Sequence, residues 1–336
     1  MKTRRLILTV LGTALLLTGL GLSAEQRVVY VEGDPQLRRS SRNLQMHPGQ
    51  DLRGGDSIRT GVADLVELQQ GSGNTISIHP DTVFSVQEIS VDGSTERQLT
   101  ASRGAASFRF TQPGGSRRVG TATTAAGVRG TEFTMYAGAD GSAFYVVQSG
   151  LVEVSSQGVA VEVAANQAVQ VAPNQPPGEV IDWIGPAIDF SDWNRDRLDA
   201  FLEDPQGTIY SLTEQLVLFA RQMEEELIAY EGARAQLEAA REELRGLSDE
   251  EASRYRSEVV TPYLVNTSNI YLNARYYAVS ALSLRRHVAG SLYLQAKARA
   301  LLEPDSVWHE YIEVDHDFFL QQFQNRILPL LEDDDI

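Results

Sequence analysis

The sequence predicts a multidomain chain, all-β in its first half and all-α in its second. Three observations carry that expectation. From Gln26 to about Val171 short β-branched stretches alternate with period two; beyond Ser191 apolar residues recur every three or four positions; and the two texts meet at the proline-rich run Pro173 to Gly178. The chain has 336 residues, enough for about two ordinary domains. Its 42% hydrophobic and 22% charged residues are those of folded rather than disordered protein. The net charge of −16 would repel a phosphate backbone, so nucleic acid is excluded as the expected partner. The absence of cysteine removes disulfides, thiolate catalysis and cysteine-ligated metals.

Taken in order, Lys2, Arg4 and Arg5 precede an uncharged apolar run from Leu6 to Leu22, closed by Ser23 and Ala24. That order predicts a signal peptide over residues 1–24, with an uncleaved anchor as the alternative. The β domain is expected over 25–175. Its strands are read at Val28 to Val31, Val62 to Leu68, Thr75 to Ile78, Val83 to Ile89, Ser107 to Phe110, Gly130 to Tyr136, Ala143 to Val147, Val152 to Val154, Val159 to Val163 and Ala168 to Val171. Gly54-Gly55, Gly71 to Gly73, Asp92-Gly93, Gly114-Gly115 and Asp140-Gly141 punctuate them, because glycine and its polar neighbours accept tight turns. Residues 176–190 read as a linker and 191–331 as a helical domain.

Within the helical domain, Ser191 or Asp192 is expected to cap a short helix ending at Glu203, before Pro205 and Gly207. Ser211 to Glu214 reads as a capping box for a helix of about 35 residues, with a seam at Leu212, Leu216, Phe219, Met223, Leu227, Tyr230, Ala233, Leu237, Ala240 and Leu244. A second box, Ser248 to Glu251, opens a stretch to Leu302, kinked near Pro262, with a seam from Ile270 through Ala274, Tyr277, Ala281 and Leu284 to Val288. A third helix is expected after Pro304, capped by Asp305 and carrying Trp308, Ile312, Phe319, Phe323 and Ile327. Short connections predict an antiparallel long-helix bundle. Tyr271, Tyr276, Tyr293 and Leu294, off the seam, suggest self-association through the helical domain as well as ordinary packing. Residues 332–336 read as an acidic tail.

The β half resembles the FecR domain, a module of extracytoplasmic signal regulators and secreted bacterial proteins. Two motifs carry the resemblance, Gly55-Asp56-Ser57-Ile58-Arg59-Thr60-Gly61 and Val128-Arg129-Gly130-Thr131-Glu132-Phe133. They are supported by Asn74 to Pro80, Gly104 to Phe110, Gly150 to Val154 and Asn166 to Val169, so that the likeness spans roughly 28–172. It implies an all-β, solenoid-like or sandwich fold, no chemistry, and binding or signalling across an envelope. Members that act as anti-sigma regulators carry a cytoplasmic domain before their membrane segment, whereas only Met1 to Arg5 precede the apolar run here. Asp189 to Trp193 with Arg195 and Arg197 further resembles a helix that often follows secreted FecR domains.

The candidate sites each have a plainer structural explanation. Gly55-Asp56 and Gly61 set turns, with Asp56 bonding its own backbone. Gly130 is expected to let two backbones approach, and Arg129 to pair with Glu132. Arg117-Arg118 beside Gly114-Gly115 can hold an anion or form a solvated hairpin tip. His309, Glu313 and His316 fall at i, i+4 and i+7, on one face of an ideal helix, in a spacing used by di-iron bundles that need the motif twice. The expectation is therefore no catalytic residue, no cofactor and no metal site. The functional expectation is a non-enzymatic binding or scaffolding protein, periplasmic or secreted, whose partner is a cell-envelope protein or polymer. The alternative is an inner-membrane-anchored signalling component lacking a cytoplasmic anti-sigma domain.

Overall fold

The computed structural model describes residues 26–331 apart from 41, 72, 92–93, 112–116, 129, 185–189 and 304–305. The expected signal peptide and acidic tail, the turns at Asp92-Gly93 and Gly114-Gly115, Arg129, and the Pro304-Asp305 helix start lie outside those residues.

Sixteen strands come first: β1 Gln26–Glu32, β2 Gln36–Arg39, β3 Arg42–Gln45, β4 Ser57–Arg59, β5 Leu65–Gln70, β6 Asn74–Ile78, β7 Val83–Val91 and β8 Ser94–Arg109. Then follow β9 Arg117–Gly120, β10 Ala125–Val128, β11 Glu132–Ala137, β12 Ala143–Ser149, β13 Leu151–Ser156, β14 Val159–Ala164, β15 Gln167–Val171 and β16 Ile181–Asp182. They form one open hydrogen-bonded network in two layers. The first layer runs β1-β5-β6-β8-β11-β12-β15-β16 and the second β3-β2-β4-β7-β8-β9-β10-β13-β14.

Strand β8 belongs to both layers. Its residues 94–103 pair with β7, while 104–109 pair with β11. The change of layer falls at Gly104, whose φ is +105° and whose added Cβ would sit 2.4 Å from the Thr82 Cα. No side chain fits that bend. Between the layers lies one core in which Leu37, Ile58, Phe84 and Leu99 of the second layer meet Val28, Leu68, Ile76, Phe108 and Phe133 of the first. Phe108 and Phe133 stack at its centre, 4.8 Å between ring centroids.

The expectation of a solenoid is corrected. A solenoid stacks parallel rungs, whereas every pairing between named strands but β8 with β9 is antiparallel. The cause is local: short hairpin turns with positive φ at Gly71 and Gly73, at Gly141 and at Gln157-Gly158 fold β6, β12 and β14 back beside the strands that precede them. Strands β2, β3, β4, β9 and β10 were not expected, because sequences such as Gln36-Leu37-Arg38-Arg39 offer a single apolar residue to the core. The stretch read as a linker carries β16, whose Ile181 and Asp182 pair with Ala168 and Gln167.

The helices are α1 Phe190–Glu203, α2 Pro205–Leu244, α3 Asp249–Tyr255, α4 Thr261–Arg286, α5 Tyr293–Leu302, α6 Val307–Glu310, α7 His316–Arg326 and α8 Leu328–Leu331. Helix α2 starts six residues before the expected capping box. Asp204 is its cap, accepting from the Gly207 N–H at 2.8 Å, and Pro205 takes the first helical position, where a missing N–H costs nothing. Ser211 to Glu214 therefore lie inside the helix. The expected seam is buried at Leu212, Leu216, Phe219, Met223, Ala233, Leu237 and Ala240. At α3 the Glu251 carboxylate accepts from the Ser248 N–H, as the capping box predicts, and also from the Ser248 hydroxyl.

Ahead of Pro262 the chain continues through a π-helical turn, Arg256–Val260. The wider turn carries the Thr261 N–H to the Arg256 carbonyl, and the Thr261 hydroxyl donates to the same oxygen at 2.9 Å. A proline that would break the ladder is thus passed by one loose turn. Helices α2 and α4 lie side by side in opposite directions, Phe219 against Tyr277 and Tyr230 against Tyr271. Helix α6 begins at Val307, with Ser306 rather than Asp305 preceding its first turn.

Candidate functional site

The first motif is a set of satisfied structural bonds. Asp56, 1% exposed, receives the Arg39 guanidinium on both oxygens at 2.8 and 2.6 Å and the Arg53 N–H at 2.8 Å. The Asp56 bond holds the Arg39 guanidinium above its ordinary range, against the opposing effect of desolvation. Thr60 is buried; its hydroxyl donates to the His79 carbonyl at 2.7 Å and accepts from the Thr82 N–H at 2.8 Å. The Gly61 N–H is held by Asp64 at 2.7 Å. Asp56 does bond its own turn, as expected, but its principal partner Arg39 lies 17 residues upstream. Arg59 is exposed and makes no side-chain hydrogen bond among the described residues.

In the second motif Glu132 pairs with Arg109 across the β8–β11 ladder at 2.8 Å. Gly130 is not a point of close approach: an added Cβ meets nothing within 4 Å, and its requirement is a φ of +62°. The close approaches fall instead at Gly104 and at Gly150, whose Cβ would lie 2.7 Å from the Gly130 carbonyl oxygen.

The helices are fastened to both outer faces of the β module. On the first layer Trp183 packs edge-on to Phe144 and Trp193 tilts against Tyr136, with ring centroids 5.6 and 5.9 Å apart. Arg197 of the same helix reaches Asp140 at 3.7 Å. The tryptophan-and-arginine segment noted in the sequence is therefore a strap over an apolar patch of Ala105, Tyr136, Phe144, Val146 and Ala168. On the second layer Gln87 donates to the Ser283 hydroxyl at 3.1 Å, and His287 meets the carbonyl of Ala139, in the turn between β11 and β12, at 2.9 Å. Arg118 donates to Asn273 at 3.1 Å and lies over the Tyr276 ring, while Asn273 donates to Glu226. Arg118 is thus neither a hairpin tip nor an anion ligand; it clamps sheet to helix. Burial pushes the Tyr276 hydroxyl up to about 12, so it is a neutral group at ordinary pH.

At the edge of this seam lies a cleft of about 420 Å³. Tyr210, Val217, Leu218 and Arg221 of α2 form one wall, Phe318 and Gln322 of α7 the other, and Gln157 and Asn174 from the β turns close the end. Gln157 and Asn174 are tied to each other and to α2 through Gln215 and Glu214, so the end wall is fixed. Tyr210 and Phe318 stay well exposed beside it. Sequence reasoning missed the cleft because its lining comes from three places distant in the chain.

His309, Glu313 and His316 do not share a face. The turn Tyr311–Asp315 is π-helical, and the wider pitch rotates His316 inward, where it is buried with its ring 4.6 Å from that of Tyr293, while His309 and Glu313 stay exposed. Among the described residues no group of three or more histidines and carboxylates is placed to hold a metal ion. Of the tyrosines considered for an interface, Tyr271 meets Tyr230, Tyr276 is half-buried beneath Arg118, and Tyr293 meets His316; Leu294 is exposed. A row that the sequence did not announce crosses the first layer: His79 Nε2 lies 2.7 Å from the Ser107 hydroxyl, which lies 2.9 Å from that of Thr134. Burial depresses the His79 pKa, and the shared bonds make this row a cross-strand ladder.

Residues 56–153 match the model of the family described as FecR protein, so the resemblance carried by the two motifs is shown over that span. Two crystal structures from Parabacteroides distasonis ATCC 8503, each described as a candidate anti-sigma factor, are similar at 20% and 21% identity and a TM-score of 0.33. Each match covers 41% of this chain and 63% of the other, so the similarity spans less than two thirds of those proteins. A comparison with curated proteins finds no match. Among the described residues no helix is long and apolar enough to cross a membrane.

Proposed function

We propose that this chain is a non-enzymatic binding and scaffolding protein of the cell envelope, in which a FecR-type β module carries a fixed helical arm that engages a protein partner. The observation that supports this reading most is the arm itself. Beyond Met223, α2 and the helices antiparallel to it share a small core of Leu237, Ala240 and Val260, with Leu244, Tyr255, Val259 and Leu264 around it, supplied by those helices alone. From Leu227 to Leu244 that arm extends about 27 Å at 1.5 Å per residue. Helices that bury their seam against each other leave their other faces to solvent and to partners. The cleft at the root of the arm, walled by exposed Tyr210 and Phe318, supplies the aromatic groups that protein contacts favour.

The test is recovery of the tagged full-length protein from its own cells after cross-linking. Wild type is expected to retain a defined envelope protein that the double variant Tyr210→Ser, Phe318→Ser loses while its thermal unfolding stays unchanged. Equal retention by the variant, or no retained protein with wild type, overturns the reading.

A further inference from the structure

The outer face of the second layer gathers positive charge in a strongly acidic protein. Inward residues Leu37, Ile58, Phe84 and Ala101 fill the core, so the alternate residues of β2, β4 and β7 face outward, and a β-bulge between Ala101 and Arg103 of β8 brings Arg103 opposite outward Val83. The register aligns Arg59 of β4 with Val83 of β7, and Val83 in turn with Arg103 of β8, so that two arginines stand two strands apart in one row. Arg38 stands on the neighbouring strand β2, opposite Ser57 and next to that row. Helix α4, pinned to this face by Ser283 on Gln87, ends at Arg286, which lies close enough to Arg38 to feel its charge.

The charges act on one another. The Arg103 guanidinium is lowered by burial and then by the Arg59 charge, with Asp81 opposing. Arg286 is lowered by desolvation, then by the charges of Arg285 and Arg38. Arg38, Arg59 and Arg286 are solvent-exposed, whereas the Arg103 Nε is buried without a hydrogen-bond partner. None of the four makes an ion pair within 4 Å among the described residues. The unfilled Arg103 donor has the exposed Arg59 charge beside it, and Arg38 and Arg286 face each other on the same side of the sheet, so the face offers donors for an anion that accepts several forked bonds.

We propose that Arg38, Arg59, Arg103 and Arg286 form a binding site for a phosphoryl group. A single carboxylate would leave most of this charge uncompensated, whereas a phosphate ester or diphosphate brings two or more negative charges and three or more acceptor oxygens. The site is separate from the cleft beside Tyr210 and does not depend on the partner bound there.

The probe is pyrophosphate, titrated into the full-length protein at constant ionic strength and followed by calorimetry and thermal unfolding. A ligand that binds only the folded state raises the melting temperature in a saturable way. Arg59→Gln and Arg38→Gln, both on the exposed rim and expected to fold normally, should each weaken binding about tenfold, the loss expected for one charge-assisted contact. Lys297→Gln removes one positive charge elsewhere and should leave binding unchanged. Sedimentation with vesicles containing phosphatidic acid, whose headgroup is a phosphate monoester, against phosphatidylcholine alone, separates the two sources of the group. Co-sedimentation lost in Arg59→Gln places the phosphoryl group on a lipid surface; pyrophosphate binding without it identifies a soluble ligand. No saturable binding of either probe, or equal weakening by Lys297→Gln, overturns the site.

Discussion

His287 should make the attachment of the helices sensitive to acid. The side chain is 1% exposed, its Nε2 faces the Ala139 carbonyl at 2.9 Å, and its Nδ1 is buried without a partner. The carbonyl can only accept, so Nε2 carries the proton and Nδ1 is bare. A second proton would create a buried cation within reach of Arg103. Burial first, then that charge, depress the pKa from 6.5 to about 4, against the favourable bond to Ala139. Because the folded value lies below the unfolded one, the unfolded chain takes the extra proton between them. Stability is therefore complete above about pH 6.5 and is lost as the pH falls through about 4. At about 1.4 kcal/mol per unit, the loss between pH 7 and pH 5 is about 2 kcal/mol. Urea unfolding at both pH values measures it. His79 and His316 are also depressed by burial, so the diagnostic quantity is the difference from His287→Gln, which can still donate to Ala139 and cannot titrate. The variant's loss should be smaller by about 2 kcal/mol. An equal loss in both proteins, or a His287 pKa above 6 by NMR, would refute the argument.

Gly104→Ala should cost more than 3 kcal/mol or prevent folding, since the Cβ collides with the Thr82 backbone, whereas Gly130→Ala should cost only about 1 kcal/mol for its left-handed φ; chemical denaturation of both checks the order. Asp56→Ala leaves the Arg39 charge and the Arg53 N–H without their acceptor and should destabilise by about 3 kcal/mol or more, whereas the exposed pair of Arg27 with Asp51 should contribute less than about 1 kcal/mol to the same assay. N-terminal sequencing of protein recovered from its own cells should begin near residue 25; an intact N-terminus in the membrane fraction would favour the anchored alternative.

Sheet and helices behave as one packed object in ways that a reading by halves does not foresee. Ala122 and Ala139, from β-module turns, belong to the same core as Phe201, Leu212, Leu216 and Phe319. A Cβ on Gly141 would lie 2.6 Å from the Leu212 side chain. The Trp183 and Trp193 strap covers the first layer, Ser283 rests on the second, and His287 holds the β11–β12 turn. Removing the helices would expose Tyr136 and Phe144 on one side and the buried amide of Gln87 on the other. The period change at Pro173 to Gly178 marks where local structure changes, and it is silent about how much surface the two parts bury together. Surface burial depends on the outward residues of strands, and in an alternating strand these read as solvent-facing.

Legibility in the sequence followed how local the controlling physics was. The α2 seam and the Ser248 box were readable because helix pitch and capping act within a few residues. The strands with three or four inward apolar residues were readable for the same reason, and β2, β3 and β9 were not, because their pairing partners rather than their own side chains place them. The metal-like triplet failed through one assumption, a constant 3.6 residues per turn. Among the described residues three π-helical segments, Arg256–Val260, His287–Leu292 and Tyr311–Asp315, break that assumption, and each coincides with a demand the surroundings make. The first relieves Pro262, the second includes the histidine that reaches Ala139, and the third turns His316 from the face of His309 toward Tyr293. A wide turn costs helix geometry and is kept where tertiary contact compensates. Spacing along a helix therefore identifies a shared face only as far as the nearest such contact, and the three segments place that limit at the ends of α4 and in the middle of the last long helix.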